Sequence, residues 1–343
     1  MRLPALIAVA CAAAFTGVVV PLADASFPGR NGRIAATGHL PCAGIWTFPP
    51  NGGDVAAVLR NHCGSGTWGA PAQFSPDGRT LLYAYQYSLD PYARGRLFTV
   101  RVDGRGGRRL PLRGVDGTWA PDGRHIAYVR AVGDPSSWIT GRRGVWRARL
   151  DGTRRRRLAA VGARPLWSPD GRLIALVARD ASGTQDLRLV DARSGALVRS
   201  LGPVFGPFDF SPDGARFLYQ PVDGGLSIVE TAAAGSPRPI SITGLSPFVD
   251  GRFQSAVWSP DGRSIAFLVE YPADGDEFIV AEVYVVAAAG GRARRIRTFP
   301  SGLDDMFRGA LSWQALPRRM ERPGSRPRQR MGRAGFEPAR DGL

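Results

Sequence analysis

Lysine is absent from this sequence of 343 residues, and all 45 of its basic residues are arginine. A chain selected for positive charge alone would use both residues, so the absence indicates a codon bias of the whole genome. The formal net charge is +16. A charge of this size attracts nucleic acid, anionic lipid and acidic wall polymers alike, and therefore does not choose among them.

The apolar stretch near the N-terminus is too short to cross a membrane. Residues 5–20 are mostly apolar but include a threonine and a glycine, and a spanning helix needs roughly 20 apolar residues. Arg2 precedes the stretch, and Ala23 and Ala25 supply the small residues that a signal peptidase recognises. The pattern predicts a signal peptide at 1–25, no transmembrane segment after its removal, and an extracytoplasmic location, either periplasmic or secreted.

Cysteine is scarce. Removal of the signal peptide takes Cys11 with it and leaves Cys42 and Cys63, an even pair in an oxidising compartment. We predict that these two form a disulfide. The alternative is two free buried thiols, which fits less well because both cysteines stand among Gly, Pro and His and not in apolar runs.

Histidine is scarce as well. His39, His62 and His125 have no spacing typical of a metal site, so we expect no metal, no cofactor and no catalytic group. The acidic segment around Asp274 and Asp276 has oxygen ligands that suit calcium. A solvated acidic loop is the more common outcome for such a segment.

One short motif recurs five times. An aromatic residue, a small residue and Pro-Asp-Gly follow one another at Phe74–Gly78, Trp119–Gly123, Trp167–Gly171, Phe210–Gly214 and Trp258–Gly262. The aromatic residues, with Trp313 as a sixth, are 45, 48, 43, 48 and 55 residues apart. A four-stranded propeller blade occupies roughly 40–50 residues, so the repeat predicts blades.

The motif has the chemistry of a hairpin turn. Pro fixes φ at the second turn position, Asp suits the third, and Gly adopts the left-handed conformation that closes the hairpin. The turn aspartates are therefore predicted to be structural: Asp77, Asp122, Asp170, Asp213 and Asp261. A β-rich run follows every turn, and a second hairpin with an Asp-Gly or similar turn follows that run.

Each of the four strand positions of a blade occurs six times in the sequence. The strand around Trp313 lacks a blade of its own, and the first unit, which begins at Ile34–Thr37, lacks its aromatic strand. Pairing these two would complete a six-bladed β-propeller of four-stranded blades at residues 26–316 and leave no exposed sheet edge. An open or five-bladed array is the alternative, and it leaves strands unpaired.

These repeats resemble the TolB-like family of WD-type propellers over about residues 27–316. The resemblance implies an exported scaffold that binds a protein or peptide in the cell envelope and does not catalyse a reaction. Similar propellers cap peptidases whose hydrolase domain carries a Gly-x-Ser-x-Gly nucleophile motif. No serine of this sequence stands in that motif.

The hairpins divide the connections between two faces. The first–second and third–fourth connections are short, and the face that carries them is the short-turn face. The other connections emerge on the opposite, long-loop face, and they include Gln86–Arg96, Arg130–Gly144, Gly202–Phe208, Gly244–Ser255, Glu270–Phe278 and Pro300–Gly309. We predict that partners bind there through Tyr87, Tyr92, Trp138, Arg142, Arg143, Phe253 and Tyr271, because aromatic residues and arginine dominate binding hot spots. Roughly half of these rings are expected to pack between blades instead.

Arginines cluster on the short-turn face. The simplest interpretation is a solvated charged surface, and the more specific alternative is contact with an anionic wall polymer or lipid. The segment 317–343 is rich in Arg and Pro without an apolar period, so we expect a disordered tail. Nucleic-acid binding is not expected outside the cytoplasm. The alternative function is a propeller that binds or cleaves carbohydrate, like the lyases that use histidine-bound metal.

Overall fold

The computed structural model describes residues 27–39, 43–60, 72–85, 95–132, 142–179, 185–232, 235–247, 249, 253–272, 278–302 and 310–317. These residues form strands and turns, and no helix occurs among them. The strands are β1 (Arg30–His39), β2 (Ala43–Phe48), β3 (Ala56–Arg60), β4 (Gln73–Phe74), β5 (Thr80–Tyr85), β6 (Arg96–Arg101), β7 (Arg108–Arg113), β8 (Val115–Trp119), β9 (His125–Val132), β10 (Arg142–Arg149), β11 (Arg156–Ala159), β12 (Ala163–Trp167), β13 (Leu173–Arg179), β14 (Gln185–Asp191), β15 (Leu197–Phe210), β16 (Arg216–Pro221), β17 (Ser227–Glu230), β18 (Arg238–Pro239), β19 (Ile242–Thr243), β20 (Ser255–Trp258), β21 (Ser264–Pro272), β22 (Phe278–Ala287), β23 (Gly291–Arg292), β24 (Arg294–Gly302) and β25 (Leu311–Leu316).

The strands form small antiparallel sheets in the order of the chain. Four sheets have four strands each, namely β4-β5-β6-β7, β8-β9-β10-β11, β20-β21-β22-β24 and β25-β1-β2-β3. A further sheet runs from β12 to β18 in sequence order, and the short strands β19 and β23 pair in parallel. The prediction of an all-β, propeller-like arrangement of such sheets is confirmed.

Strand β15 takes part in two sets of pairs. Its first half pairs with β14, where Leu197 lies opposite Val190, and its second half pairs with β16, where Phe210 lies opposite Phe217. The strand is 14 residues long, so it can serve both neighbours. It joins what would otherwise be two separate sheets into one of seven strands.

The last strand of the described chain pairs with the first. Ile34 lies opposite Trp313 and Ala36 lies opposite Leu311 in an antiparallel register, with a bulge between Asn31 and Ile34. The predicted pairing of the Trp313 strand with the first unit is confirmed. Both ends of the described chain therefore lie in one sheet.

The core lies between neighbouring sheets. In one cluster Leu82 and Leu97 of the β4–β7 sheet pack against Trp119 and Tyr128 of the β8–β11 sheet, and all four are at most 3% exposed. Burial of such a side chain contributes roughly 1.5–3 kcal/mol. Further clusters of this kind join other pairs of adjacent sheets, so each sheet is stabilised by its neighbours.

Several predictions concern residues outside the described ranges. The signal peptide at 1–25 and most of the segment 317–343 lie there, as do Cys42 and Cys63. The domain boundaries and the disulfide therefore stay predictions. The acidic residues Asp274 and Asp276 also lie outside the described residues.

Candidate functional site

The aspartates of the repeated turns hydrogen bond within their own turns. In each turn the aspartate carboxylate accepts a hydrogen bond, at 2.8–3.1 Å, from the backbone N–H of the residue two positions later. The aspartates are Asp77, Asp122, Asp170, Asp213 and Asp261. In four turns a serine hydroxyl also donates to the same carboxylate, from Ser75, Ser168, Ser211 and Ser259. Local turn geometry thus accounts for these aspartates.

The turn with Ala120 in place of serine uses a histidine. The Nδ1 atom of His125 lies 2.5 Å from Oδ2 of Asp122, and the backbone N–H of His125 donates to Oδ1. Partial burial raises the pKa of Asp122, but hydrogen bonds from Arg124 and His125 outweigh it and lower the pKa below the ordinary value of 3.8. His125 is therefore bound within a turn.

The register of the strands places the long connections at one edge of each sheet. In the β4–β7 sheet, Tyr85 lies opposite Arg96, which in turn lies opposite Arg113. The second strand ends, the third begins and the fourth ends at this row, and Gly114 N–H donates to Gly95 O beside it. The long-loop face is built on these edges.

The predicted binding residues divide into three groups. Tyr87, Tyr92 and Trp138 lie outside the described residues, so their role stays a prediction. Arg142 and Arg143 begin β10, with backbone partners Val132 and Ala131. Phe253 and Tyr271 are each 9% exposed and belong to or border the core, which agrees with the expectation that some of these rings pack between blades.

Two apolar residues that were not predicted lie exposed on the long-loop face. Phe205 is 49% exposed and Val222 is 52% exposed. Val204 pairs with Pro221, so each exposed residue is one position from this pair. Apolar side chains this exposed are candidates for contact with a partner.

Arg164 lies close to Gly206, the residue that follows Phe205 in β15. It has a φ of 48°, in the left-handed region that costs a residue other than glycine roughly 1–2 kcal/mol. It stands in the bulge of β12 between Ala163 and Leu166, and a Cβ placed on Gly206 would lie 3.4 Å from its Nη1 atom. We call Arg164, Phe205 and Val222 the Phe205 patch.

Asp116 occupies the matching position of the preceding repeat, three residues before the aromatic residue. Its φ is 50°, and it too stands in a bulge, between Val115 and Thr118 of β8. Backbone strain of this kind clusters at functional sites. Backbone strain thus recurs near the start of β8 and of β12, the first strands of two successive sheets, at the long-loop face.

The fold resembles that of two solved structures. The crystal structure of TolB from Acinetobacter baumannii matches with a TM-score of 0.56 and 15% sequence identity, over 83% of this chain and 67% of that one. The structure of a candidate TolB from Agrobacterium tumefaciens matches with a TM-score of 0.56 and 17% identity, over 84% of this chain and 99% of that one. This chain has the TolB-like propeller fold. The sequence matches no family model and no curated protein, and at these identities the likeness concerns the fold alone.

A buried polar cluster lies within this TolB-like propeller, in the β20–β24 sheet. The side chain of Glu282 is 1% exposed. Its carboxylate accepts hydrogen bonds from Tyr284 Oη at 2.6 Å, Arg295 Nη1 at 2.6 Å and Thr298 Oγ1 at 3.3 Å. Tyr271 also hydrogen bonds to it. Tyr271 therefore helps to hold a buried carboxylate.

The cluster shifts the titration of its members. Burial raises the pKa of Glu282, but the hydrogen bonds from Tyr284, Arg295 and Tyr271 outweigh burial and lower the pKa below 4.5. Burial and the hydrogen bond to Glu282 raise the pKa of Tyr284 to about 12. A cleft of about 680 Å³ lies beside it, lined by Gly244, Leu245, Ser246, Pro247, Tyr284, Arg292, Ala293, Arg294 and Arg295.

The described part of this TolB-like propeller contains no group of three or more His, Cys, Asp or Glu side chains that could hold a metal ion. Nor do the described ranges contain a helix that is long and apolar enough to cross a membrane.

Proposed function

We propose that this TolB-like propeller is an exported, non-catalytic scaffold that binds a protein or peptide of the cell envelope through its long-loop face. The observation that carries the proposal is the Phe205 patch. It combines an exposed aromatic ring, an exposed aliphatic side chain and an arginine, and aromatic residues and arginine are enriched at binding hot spots.

The proposal includes a ring of six blades. The seven-stranded sheet counts as two blades that share β15, because the first half of β15 completes the β12–β14 set and the second half begins the β16–β18 set. Each of these sets then has four strands, like the four separate sheets. The pairing of β25 with β1 supplies the closure that such a ring needs.

The two faces differ in the exposed side chains that they carry. On the short-turn face the turn serines bond to the turn aspartates, and the aspartates accept backbone N–H groups of the same turns. Both faces expose aliphatic side chains, but among the described residues the exposed aromatic ring, that of Phe205, lies on the long-loop face. The sequence also places Tyr87, Tyr92 and Trp138 in loops of that face. Loops on a rigid scaffold commonly carry binding residues, which supports this face as the binding surface.

A capture experiment with matched variants tests the proposal. The purified protein is immobilised with a photo-crosslinker near Phe205 and exposed to envelope extract, and any captured protein is then purified and titrated against it. Phe205→Ala with Val222→Ala should weaken the titrated affinity about tenfold, as expected for loss of a hot spot.

The control is Leu197→Ala with Val198→Ala. These residues are 60% and 55% exposed, but they follow the short turn at Asp191–Ala196 and so belong to the short-turn face. Equal losses in both double variants would contradict binding at the long-loop face. Release of new reducing ends from polysaccharide by the purified protein would contradict the non-catalytic part and favour the carbohydrate-cleaving alternative.

A further inference from the structure

Eight exposed arginines lie on two neighbouring segments of the short-turn face. The segments are 101–112 and 151–157, and they contain two aspartates, so their net charge is +6. We call the two segments the basic strip. Its exposed arginines are Arg101, Arg105, Arg108, Arg109, Arg154, Arg155, Arg156 and Arg157.

The two segments touch each other. Arg155 Nη2 donates to Pro111 O at 2.9 Å, and a Cβ placed on Gly152 would lie only 2.8 Å from Pro111 Cγ. The turn that precedes β11 therefore packs directly on β7 of the preceding sheet. The positive charge is continuous across the boundary between the two sheets.

The aspartates of the strip are held by their own turns. Asp103 accepts the backbone N–H of Arg105 at 3.0 Å, and Asp151 accepts the N–H and the hydroxyl of Thr153. The bond from Arg105 lowers the pKa of Asp103, and the bonds from Thr153 lower that of Asp151. Both carboxylates are thus ionised and hydrogen bonded within their own turns.

Most of the arginines have no acidic partner within the described residues. Arg101 forms an ion pair with Asp103 at 2.9 Å, and Arg155 bonds to two backbone carbonyl groups. The other strip arginines form no ion pair with any described residue. Their guanidinium groups therefore remain available to an external anion.

Arg154 stands where glycine would be less strained. Its φ is 50°, and the matching position of the preceding repeat is Gly106, with a φ of 65°. The match follows from the shared hydrogen bonds, since Asp103 and Asp151 each accept the N–H two residues later. The chain thus has an arginine at a position where the neighbouring turn has glycine.

A groove of about 550 Å³ adjoins the strip. Its lining includes Thr80, Thr99, Arg108 and Arg124, together with Asp77 and Asp122. The lining therefore has mixed charge: its guanidinium groups suit the carboxylate of an acidic sugar, and its carboxylates and hydroxyls suit the hydroxyl groups of the same sugar. Membrane-surface segments commonly add buried apolar side chains to electrostatic attraction, whereas the leucines of the strip, Leu110 and Leu112, are each 2% exposed.

We propose that the basic strip binds a linear acidic polysaccharide, whose carboxylates contact the arginines while one sugar unit enters the adjoining groove. This surface is separate from the long-loop face, so the two proposals can fail independently. Long-range attraction brings the polymer to the strip, and paired guanidinium–carboxylate contacts hold it there.

Titration of alginate, a polymer of uronic acids, tests the proposal. Neutral dextran and phosphatidylglycerol vesicles serve as comparison probes. Arg108→Gln with Arg156→Gln should weaken alginate binding about fivefold, and the affinity should fall with added salt. The control, Arg238→Gln with Arg263→Gln, removes the same charge from exposed arginines outside the strip. It should change the alginate affinity by less than about twofold, because exposed charges outside the contact contribute little.

Arg154→Gly provides a second readout. It should leave the melting temperature unchanged or higher, because glycine relieves the strain, and should still weaken alginate binding. Equal losses in the strip and control variants would overturn the proposal by showing a net-charge effect only. Tighter binding of the vesicles than of alginate, with the same response to the strip variants, would overturn it in favour of a membrane surface.

Discussion

At the scale of single residues, Glu282 shows how a buried charge is accommodated. Its side chain is almost inaccessible, yet Tyr284, Arg295 and Thr298 all donate to its carboxylate. A buried carboxylate without such donors would be neutral. The cluster therefore contributes to stability through hydrogen bonds to a charged group.

Glu282→Gln should destabilise the protein by about 2 kcal/mol at neutral pH, because an amide replaces a charged acceptor and leaves Arg295 without its partner. Urea unfolding of the wild type and the variant measures the difference. Glu230→Gln changes an exposed glutamate of β17 and is the control. A loss no larger than that of Glu230→Gln would show that the cluster adds little.

The lowered pKa of Glu282 predicts how the stability difference between the wild type and Glu282→Gln depends on pH. A carboxylate with a lowered folded-state pKa stabilises the protein above its unfolded-state pKa, near 4.5, and loses this contribution as the pH falls through the folded-state value. The difference in unfolding free energy between wild type and Glu282→Gln should therefore shrink below pH 4.5. A difference that is constant over the acid range would contradict the assignment.

At the scale of elements, the repeated turn joins the first and second strands of a sheet, and four of its five copies use the same serine–aspartate bond. Ser259 Oγ donates to Asp261 at 2.6 Å and accepts the N–H of Ser264 at 2.8 Å. The aspartate also exchanges hydrogen bonds with Asn31 at the start of β1. One turn thus stabilises its own hairpin and contacts the first strand of the described chain.

Ser259→Ala should lower the unfolding free energy by about 1–2 kcal/mol, because the partly buried N–H of Ser264 loses its acceptor. Thermal unfolding followed by circular dichroism measures the effect. Ala120→Ser supplies the matched reverse change, and it should cost less than Ser259→Ala because the turn already has a bond from His125 N–H to Asp122. If Ser259→Ala melts like the wild type, the hydroxyl bridge is not a stabilising element.

At the scale of the whole molecule, one sheet joins the first and the last strand of the described chain. Strand β25 pairs with β1, and the hydroxyl of Ser312 accepts the N–H of Phe74 in the next sheet at 3.0 Å. Trp313 packs in the same cluster as Ile34 and Phe48. Loss of β25 would therefore expose an edge of β1 and remove part of the core between two sheets.

A chain ending at residue 310 should lose its cooperative thermal transition, because β25 is absent and the edge of β1 is unpaired. A chain ending at residue 317 keeps β25 and should melt as the full chain does. Calorimetry of the three proteins separates the cases. Closure by β25 would be wrong if the two shortened chains had the same transition.

The binding surface shows where reasoning from the sequence stops. Phe253 and Tyr271 were assigned to it by residue type and loop position, but both rings are largely buried. Phe205 lies within a predicted loop without being singled out, and Val222 lies in a connection between β16 and β17 that was not among the predicted binding loops. Exposure depends on which sheets meet at a position, and local sequence carries little information about that contact.

The repeat, the turn chemistry and the pairing of the Trp313 strand with the first unit could be predicted from the sequence alone. These features depend on local backbone preferences and on a strand count, both of which can be read from consecutive residues. Three features became visible only in the packed structure: β15 pairs with two sets of strands, Glu282 is buried beside tyrosines, and two basic turns form one strip. Those features arise from contacts between residues far apart in the chain, which form only when neighbouring sheets pack.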